Sequence, residues 1–334
     1  MTRRALTEPQ LAPEAGLGSS LDWALGHAGR APSELNSQPW RHTVHLHDDG
    51  TAIVELGLDR SRRLPHIDPD DREAVLACGA WLLNLRLALV AVGLVSQVEV
   101  VSDAEQLDML ARVAVAPGRG REIDRDLRLA IYRRATHRAA FEAGTVTVPL
   151  LDHLCAEAAR EGALVCVLDS REQQELSVLS LRAVQQVRSD VGVQREVAAW
   201  TRPRTGPPDG VPGQAHDLGT LQSWLEPTLL RHRRSRTLTD EDARYAAEQP
   251  ATVVVLGSPK DDRPSLLRAG AGLQRLLLRA TALGLAASYR NAALHVPELR
   301  RELGRVVQLD HPQVVLRLGL GTGAPTTGRL EGTR

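Results

Sequence analysis

Apolar positions along the chain fall into two kinds of pattern. Leucines and small residues recur at three- and four-residue spacing through Asp71–Leu94 and again through Asp262–Leu285, as in a long helix buried on most of its surface. Each stretch closes on Gly-Leu, a helix-stop signal. Shorter runs rich in β-branched residues read as strands at His42–His47, Thr51–Gly57, Ala111–Ala116, Ala163–Asp169, Thr252–Gly257 and Leu316–Gly321. Shorter helices are expected over Leu21–Gly29 and Pro149–Glu161.

The two long stretches superimpose without a gap, and 11 of 24 positions are identical, including Gly79 and Gly270 in mid-helix. A mid-helix glycine costs about 1 kcal/mol in propensity, so the matched pair implies a close helix approach. Strands flank both copies in the same order, and the recurring unit reads helix, strand, strand, long helix, strand. The expected fold class is α+β, one fold duplicated within the chain: a pseudo-dimer of two mixed or antiparallel sheets packed with helices. The repeats are placed at 18–122 and 128–325, after a disordered or loosely ordered segment 1–17. The second repeat carries an insertion at about 186–248, where the Pro- and Gly-rich stretch Pro203–Gly213 is not expected to be regular. It reads as a lid or as a mobile linker.

Composition narrows the function classes. Forty-one Lys plus Arg balance 41 Asp plus Glu, which argues against a dedicated nucleic-acid binder, because phosphate neutralisation needs a basic face. The longest apolar run, Ala88–Val95, is far short of a membrane span, and Met1–Ser20 has no apolar signal core; no membrane partner and a cytoplasmic location are expected. Cys78, Cys155 and Cys166 are widely spaced without CxxC and read as buried reduced thiols. Lys260 is the only lysine, so anion binding falls to arginine.

Two short motifs carry candidate chemistry, one per repeat. Arg30-Ala-Pro-Ser-Glu-Leu-Asn-Ser-Gln-Pro-Trp40 places Ser33, Asn36 and Gln38 in a polar turn between a helix and a strand; read alone, it is equally a well-made connection. Arg133-Arg-Ala-Thr-His-Arg-Ala-Ala-Phe141 alternates Arg134, Thr136 and Arg138, which in an extended segment present two guanidinium forks and a hydroxyl to one side. That suits a phosphate, although a solvated basic stretch has the same composition.

Together the motifs resemble the flavin-dependent nitroreductase superfamily. Ala-Pro-Ser-x-x-Asn-x-Gln-Pro-Trp is its hallmark, and Arg-x-Thr-x-Arg-x-x-Phe is similar to the segment that grips the flavin phosphate. Ordinary members carry both on one chain and build two FMN sites across a homodimer interface. Here the motifs are divided between the repeats, so the resemblance implies one complete composite site per chain. The division, the length and the Trp200–Pro212 stretch resemble the Acg-type branch.

The resemblance implies FMN as cofactor and NAD(P)H as possible reductant, with Arg134, Thr136 and Arg138 on the phosphate and ribityl chain. It places Pro32, Ser33 and Asn36 against the isoalloxazine, Ser288 within the pocket-lining Ala287–Asn291 segment, and Arg329 on the phosphate from the tail. Leu35 stands where relatives carry a polar His, and Ala135 replaces a second arginine. The implied activity passes hydride from NAD(P)H through the flavin to a small electron-poor acceptor. Alternatives are a flavin-sequestering stress protein with little turnover and a dehydrogenase that tailors a natural product. The chain would act as monomer or homodimer.

Other clusters read as structural. His42, His45 and His47 lack a further ligand nearby, so no metal site is expected. Arg231–Arg236 precedes Asp240-Glu-Asp242 and reads as a solvated face. Asp68–Asp71 reads as the cap and first-turn acids of the helix that follows.

Overall fold

A computed structural model describes residues 16–102, 108–118, 124–142, 144–202, 208–212, 251–321 and 329. Segment 1–15 and most of the expected insertion, including Arg231–Arg236, lie outside the described residues.

The first half runs α1 (Leu17–Ala28), β1 (Trp40–Leu46), β2 (Ala52–Leu58), α2 (Arg72–Ala91), β3 (Leu94–Val100) and β4 (Met109–Pro117). A short helix, α3 (Arg125–Ala130), leads into the second half. There follow α4 (Val148–Ala159), β5 (Leu164–Val167), α5 (Ser170–Ser189), α6 (Val191–Trp200), β6 (Thr201–Arg202) and β7 (Val211–Pro212). The described chain ends with β8 (Thr252–Gly257), α7 (Arg263–Ala282), β9 (Leu285–Tyr289), α8 (Pro297–Val306) and β10 (Pro312–Leu320).

Two four-stranded antiparallel sheets result, ordered β1-β2-β4-β3 and β5-β8-β10-β9. Substituting each strand by its counterpart in the other half converts one order into the other, the topological mark of duplication. The recurring unit is one strand longer than expected, because β3 and β9 follow the long helices directly. Within Pro203–Gly213, Val211 and Pro212 do pair, forming a two-residue parallel ladder with Thr201 and Arg202.

The core forms where α2 and α7 cross. A Cβ on Gly79 would collide with the carbonyl oxygen of Leu267, and one on Gly270 with that of Leu76, so both helices touch backbone to backbone. Trp81, Leu85, Leu89, Leu276 and Leu277 fill the space around the crossing. One polar chain passes through it: Gln274 donates to Asn84 Oδ1 at 2.8 Å, and Asn84 donates to the His27 carbonyl at 3.2 Å. All three residues are fully buried, and the two bonds satisfy the Asn84 amide while Gln274 Oε1 is left without a partner. Among the described residues α2 is long and apolar enough to cross a membrane, yet most of it is buried against α1 and α7.

Some local readings change. Asp71, at the N-cap of α2, has φ 56° and caps nothing with its side chain; Asp68 caps instead, accepting from Glu73 N at 3.1 Å and Ala74 N at 2.9 Å. Only Cys78 is fully buried, while Cys155 and Cys166 are partly exposed. His42 stacks on Trp81 at 5.6 Å and His45 pairs with Glu55 at 3.5 Å, so these histidines serve separate contacts.

Candidate functional site

The turn between α1 and β1 occupies 11 residues, Gly29–Pro39, whereas its counterpart between α4 and β5 has four, Arg160–Ala163. Only the first has room for a built site. Leu35, Asn36 and Gln38 all take positive φ, at 47°, 53° and 53°. Such backbone costs of order 1–3 kcal/mol per residue and persists where surrounding bonds hold it. Here Ser33 Oγ accepts from Gln38 N at 2.9 Å and the Ser33 carbonyl from Asn36 N at 3.0 Å.

Distant parts of the chain complete the turn. Asn36 Nδ2 donates to the Gly210 carbonyl at 3.0 Å, Gly210 N returns a bond to the Asn36 carbonyl at 3.2 Å, and Gln38 Nε2 reaches the Pro208 carbonyl at 3.2 Å. Arg329 Nη1 donates to Asn36 Oδ1 at 2.9 Å. Between Pro208 and Gly210, Asp209 is gripped by Arg62 at 2.7 Å and Arg202 at 3.1 Å, both guanidiniums lying near the Trp200 ring. The described end of the insertion is thus fastened to the motif turn.

The second motif lies along the edge of β9. Thr136 bridges Ala287 in parallel, and His137 N donates to the Ala287 carbonyl at 2.8 Å. That extended path buries Arg134 beside Arg30 and Arg329. Burial lowers the Arg134 pKa and the charge of Arg30 lowers it further; Arg329 falls to about 9 through burial, then through Arg134 and Arg30. At Arg329 the repulsion of Arg134 and Arg30 outweighs what Tyr289 returns, whereas at Arg134 burial is the main cause. Arg30 also lies 4.3 Å from the centre of the Tyr132 ring. Arg134 Nε, Ser288 Oγ and the Tyr289 hydroxyl are buried without hydrogen-bond partners, and burial pushes the Tyr289 hydroxyl up to about 12. A pole of concentrated positive charge with unused donors is matched to an anion that carries several acceptor oxygens.

Arg134 joins Arg30 and Arg329, and the charge of Arg138 acts on Glu34. There an acidic group gathers that the sequence reading missed. Glu34, Glu73 in the first turn of α2, and His295 in the 3-10 turn Ala292–His295 each bring one ligand-type atom within 4.8 Å of the others. Glu73 Oε1 receives Arg72 at 2.8 Å and faces His295 Nε2 at 3.1 Å, while Glu73 Oε2 is buried without a partner. These three residues belong to no common motif. Arg30 could have been found, since it opens the first one.

No family model matches the chain. A protein of Mycobacterium tuberculosis H37Rv named "Putative NAD(P)H nitroreductase Rv3131" is 30% identical over 294 residues, covering 87% of this chain and 82% of that one. The chain belongs to the nitroreductase family. The acg protein of the same organism, which bears the same form of name, is 29% identical over 308 residues, covering 89% and 88%, in line with the Acg-type resemblance. The crystal structure of a "putative nitroreductase" from Anabaena variabilis ATCC 29413 matches the fold with TM-score 0.52 at 11% identity, covering 94% of each chain. A nitroreductase fold therefore extends over both halves, in agreement with the paired sheet orders.

Proposed function

We propose that this nitroreductase-family chain binds one FMN and passes hydride from NAD(P)H to a small electron-poor acceptor. The observation that carries the reading is the buried pole of Arg30, Arg134 and Arg329, three guanidiniums that repel one another beside unpartnered donors on Arg134, Ser288 and Tyr289. An FMN phosphate would take those donors and neutralise that repulsion. Pro32, Ser33 and Asn36 would flank the flavin ring, with Thr136 toward the ribityl chain. Bound there, the flavin supplies the two-electron chemistry and the protein supplies orientation and charge. Because the α4–β5 connection has four residues, one site per chain is expected.

One observation favours slow turnover as a second reading. The Asn36 and Gln38 amides are engaged by the Pro208 and Gly210 carbonyls, and Asp209 holds that segment down. A fastened cover of this kind would restrict acceptor entry.

Reconstitution separates these readings. The apoprotein should take up one FMN per chain and bind riboflavin, which lacks the phosphate, more weakly by about 1,000-fold or more, as expected for two or three charge-assisted bonds. Two flavins per chain, or no preference for FMN, would overturn the one-site reading. NAD(P)H oxidation with nitrofurazone or a quinone then distinguishes turnover from storage.

A further inference from the structure

We infer that Glu34, Glu73 and His295 form a half-buried proton-holding site, with Glu34 as the acid that gives its proton to the reduced acceptor at the Pro32–Gln38 turn. The inference deepens the proposed function and rests on it for the reaction, while the storage of the proton can be tested without any cofactor.

Geometry comes first. Two carboxylates with atoms within 4.8 Å, Glu73 buried and Glu34 half-buried, do not both ionise cheaply, so the pair favours holding one proton. Glu73 is the partner that stays charged: Arg72 donates to Oε1 at 2.8 Å and His295 faces the same oxygen at 3.1 Å. Its Oε2 is buried and lacks a donor, which a protonated carboxyl alongside would provide. The proton therefore falls to Glu34, whose pKa burial raises first and the charge of Glu73 raises further.

Charges facing the group come from four elements. Arg72 and Glu73 lie on α2, with Asp68 just before it; Arg138 comes from the second motif; His295 follows β9; and Tyr289 on β9 feels both this group and the arginine pole. The neighbouring positive charges, Arg72, Arg138 and protonated His295, can stabilise the Glu34 carboxylate left after transfer. Metal coordination fits less well. Glu73 holds His295 protonated, raising its pKa to about 8, which occupies the nitrogen a metal would need, and Arg72 already sits on the shared oxygen.

The step balances. An acceptor that gains two electrons and one proton as hydride, drawn from NAD(P)H, becomes an anion. The Glu34 O–H bond breaks, a bond from that proton to the acceptor heteroatom forms, and the neutral reduced product leaves a Glu34 carboxylate that water reprotonates.

Infrared difference spectra of the apoprotein, wild type against Glu34→Gln, test the storage. The wild-type-minus-variant difference should show a protonated-carboxyl band at pH 6 that disappears by pH 9; the band of Asp68, raised to about 6, is common to both chains and cancels. Nuclear magnetic resonance of His295 in the wild-type chain should show an imidazole that stays protonated past pH 7. In the FMN-loaded enzyme, Glu34→Gln should slow the acceptor step by about 100-fold or more and remove its alkaline limb, with Glu34→Asp restoring part of both. The proposal is overturned if the wild-type-minus-Glu34→Gln difference shows no carboxyl band at pH 6, or if the apoprotein binds one equivalent of Zn²⁺ or Mn²⁺ that Glu34→Gln and His295→Ala lose. An intact FMN site without the band sinks this inference alone. The band without FMN binding sinks the cofactor reading alone.

Discussion

Gly79 on α2 and Gly270 on α7 are reciprocal: each lies against a backbone carbonyl of the other helix, Leu267 for Gly79 and Leu76 for Gly270. The residue that meets Gly79 is, in the repeat register, the counterpart of the residue that meets Gly270. That is the signature of an isologous two-fold interface, here realised within one chain. A Cβ at either position would strike backbone, which cannot swing aside as a side chain could. Gly79→Ala and Gly270→Ala should each destabilise by about 1–3 kcal/mol, read as a lower urea midpoint at unchanged slope. Unaltered midpoints would show that the crossing is loose.

Arg134→Met probes the cationic pole. FMN affinity should fall by about 10- to 100-fold, the loss of one charge-assisted bond, while riboflavin affinity holds. The apoprotein should melt no lower than wild type, because the change removes a repulsive buried charge beside Arg30 and Arg329. Equal losses for both flavins would mean that Arg134 shapes the ring pocket and leaves the phosphate to others.

The same pole sets a pH dependence. The folded-state pKa of Arg329 lies at about 9, below its ordinary value of 12.5. Below pH 9 the folded state carries a charge that the unfolded chain would hold at less cost; as pH rises through 9 toward 12.5 that penalty on the apoprotein disappears. FMN binding runs the other way, since its phosphate needs the cation. Affinity measured by fluorescence quenching should decline above about pH 9, and Arg134→Met should move the decline to higher pH by removing one source of the shift.

Asp209→Asn tests the fastening of the insertion. Its carboxylate neutralises Arg62 and Arg202 at once, and both guanidiniums are mostly buried. Their loss of a shared anion should loosen the Gly210 N to Asn36 carbonyl bond, raising hydrogen exchange at Gly210 about tenfold or more, with faster FMN release. Unchanged exchange at Gly210 would assign the hold to the Asn36 and Gln38 amides.

Much of the architecture was legible because the chain states it twice. The overlay of Asp71–Leu94 on Asp262–Leu285 alone locates the crossing helices and their glycines. Strand β3 alternates Val95, Gln97 and Glu99 outward, a readable half-buried pattern, but the helical register ran up to Leu94 and absorbed its start. The motif turn was readable for the same reason that it is strained: few residues satisfy its hydrogen bonds and tolerate its φ values. Glu34, Glu73 and His295 were not readable, since His295 stands 222 positions from Glu73 and their meeting depends on where β9 ends relative to the start of α2.

The unequal connections, 11 residues from α1 to β1 and four from α4 to β5, have a genetic consequence. In a homodimer every substitution is written twice, so no change can improve one site without altering its twin. Fusion removes that constraint. Each half of this chain is free to drift wherever it only supports the crossing, while both accumulate changes at the one composite centre proposed above.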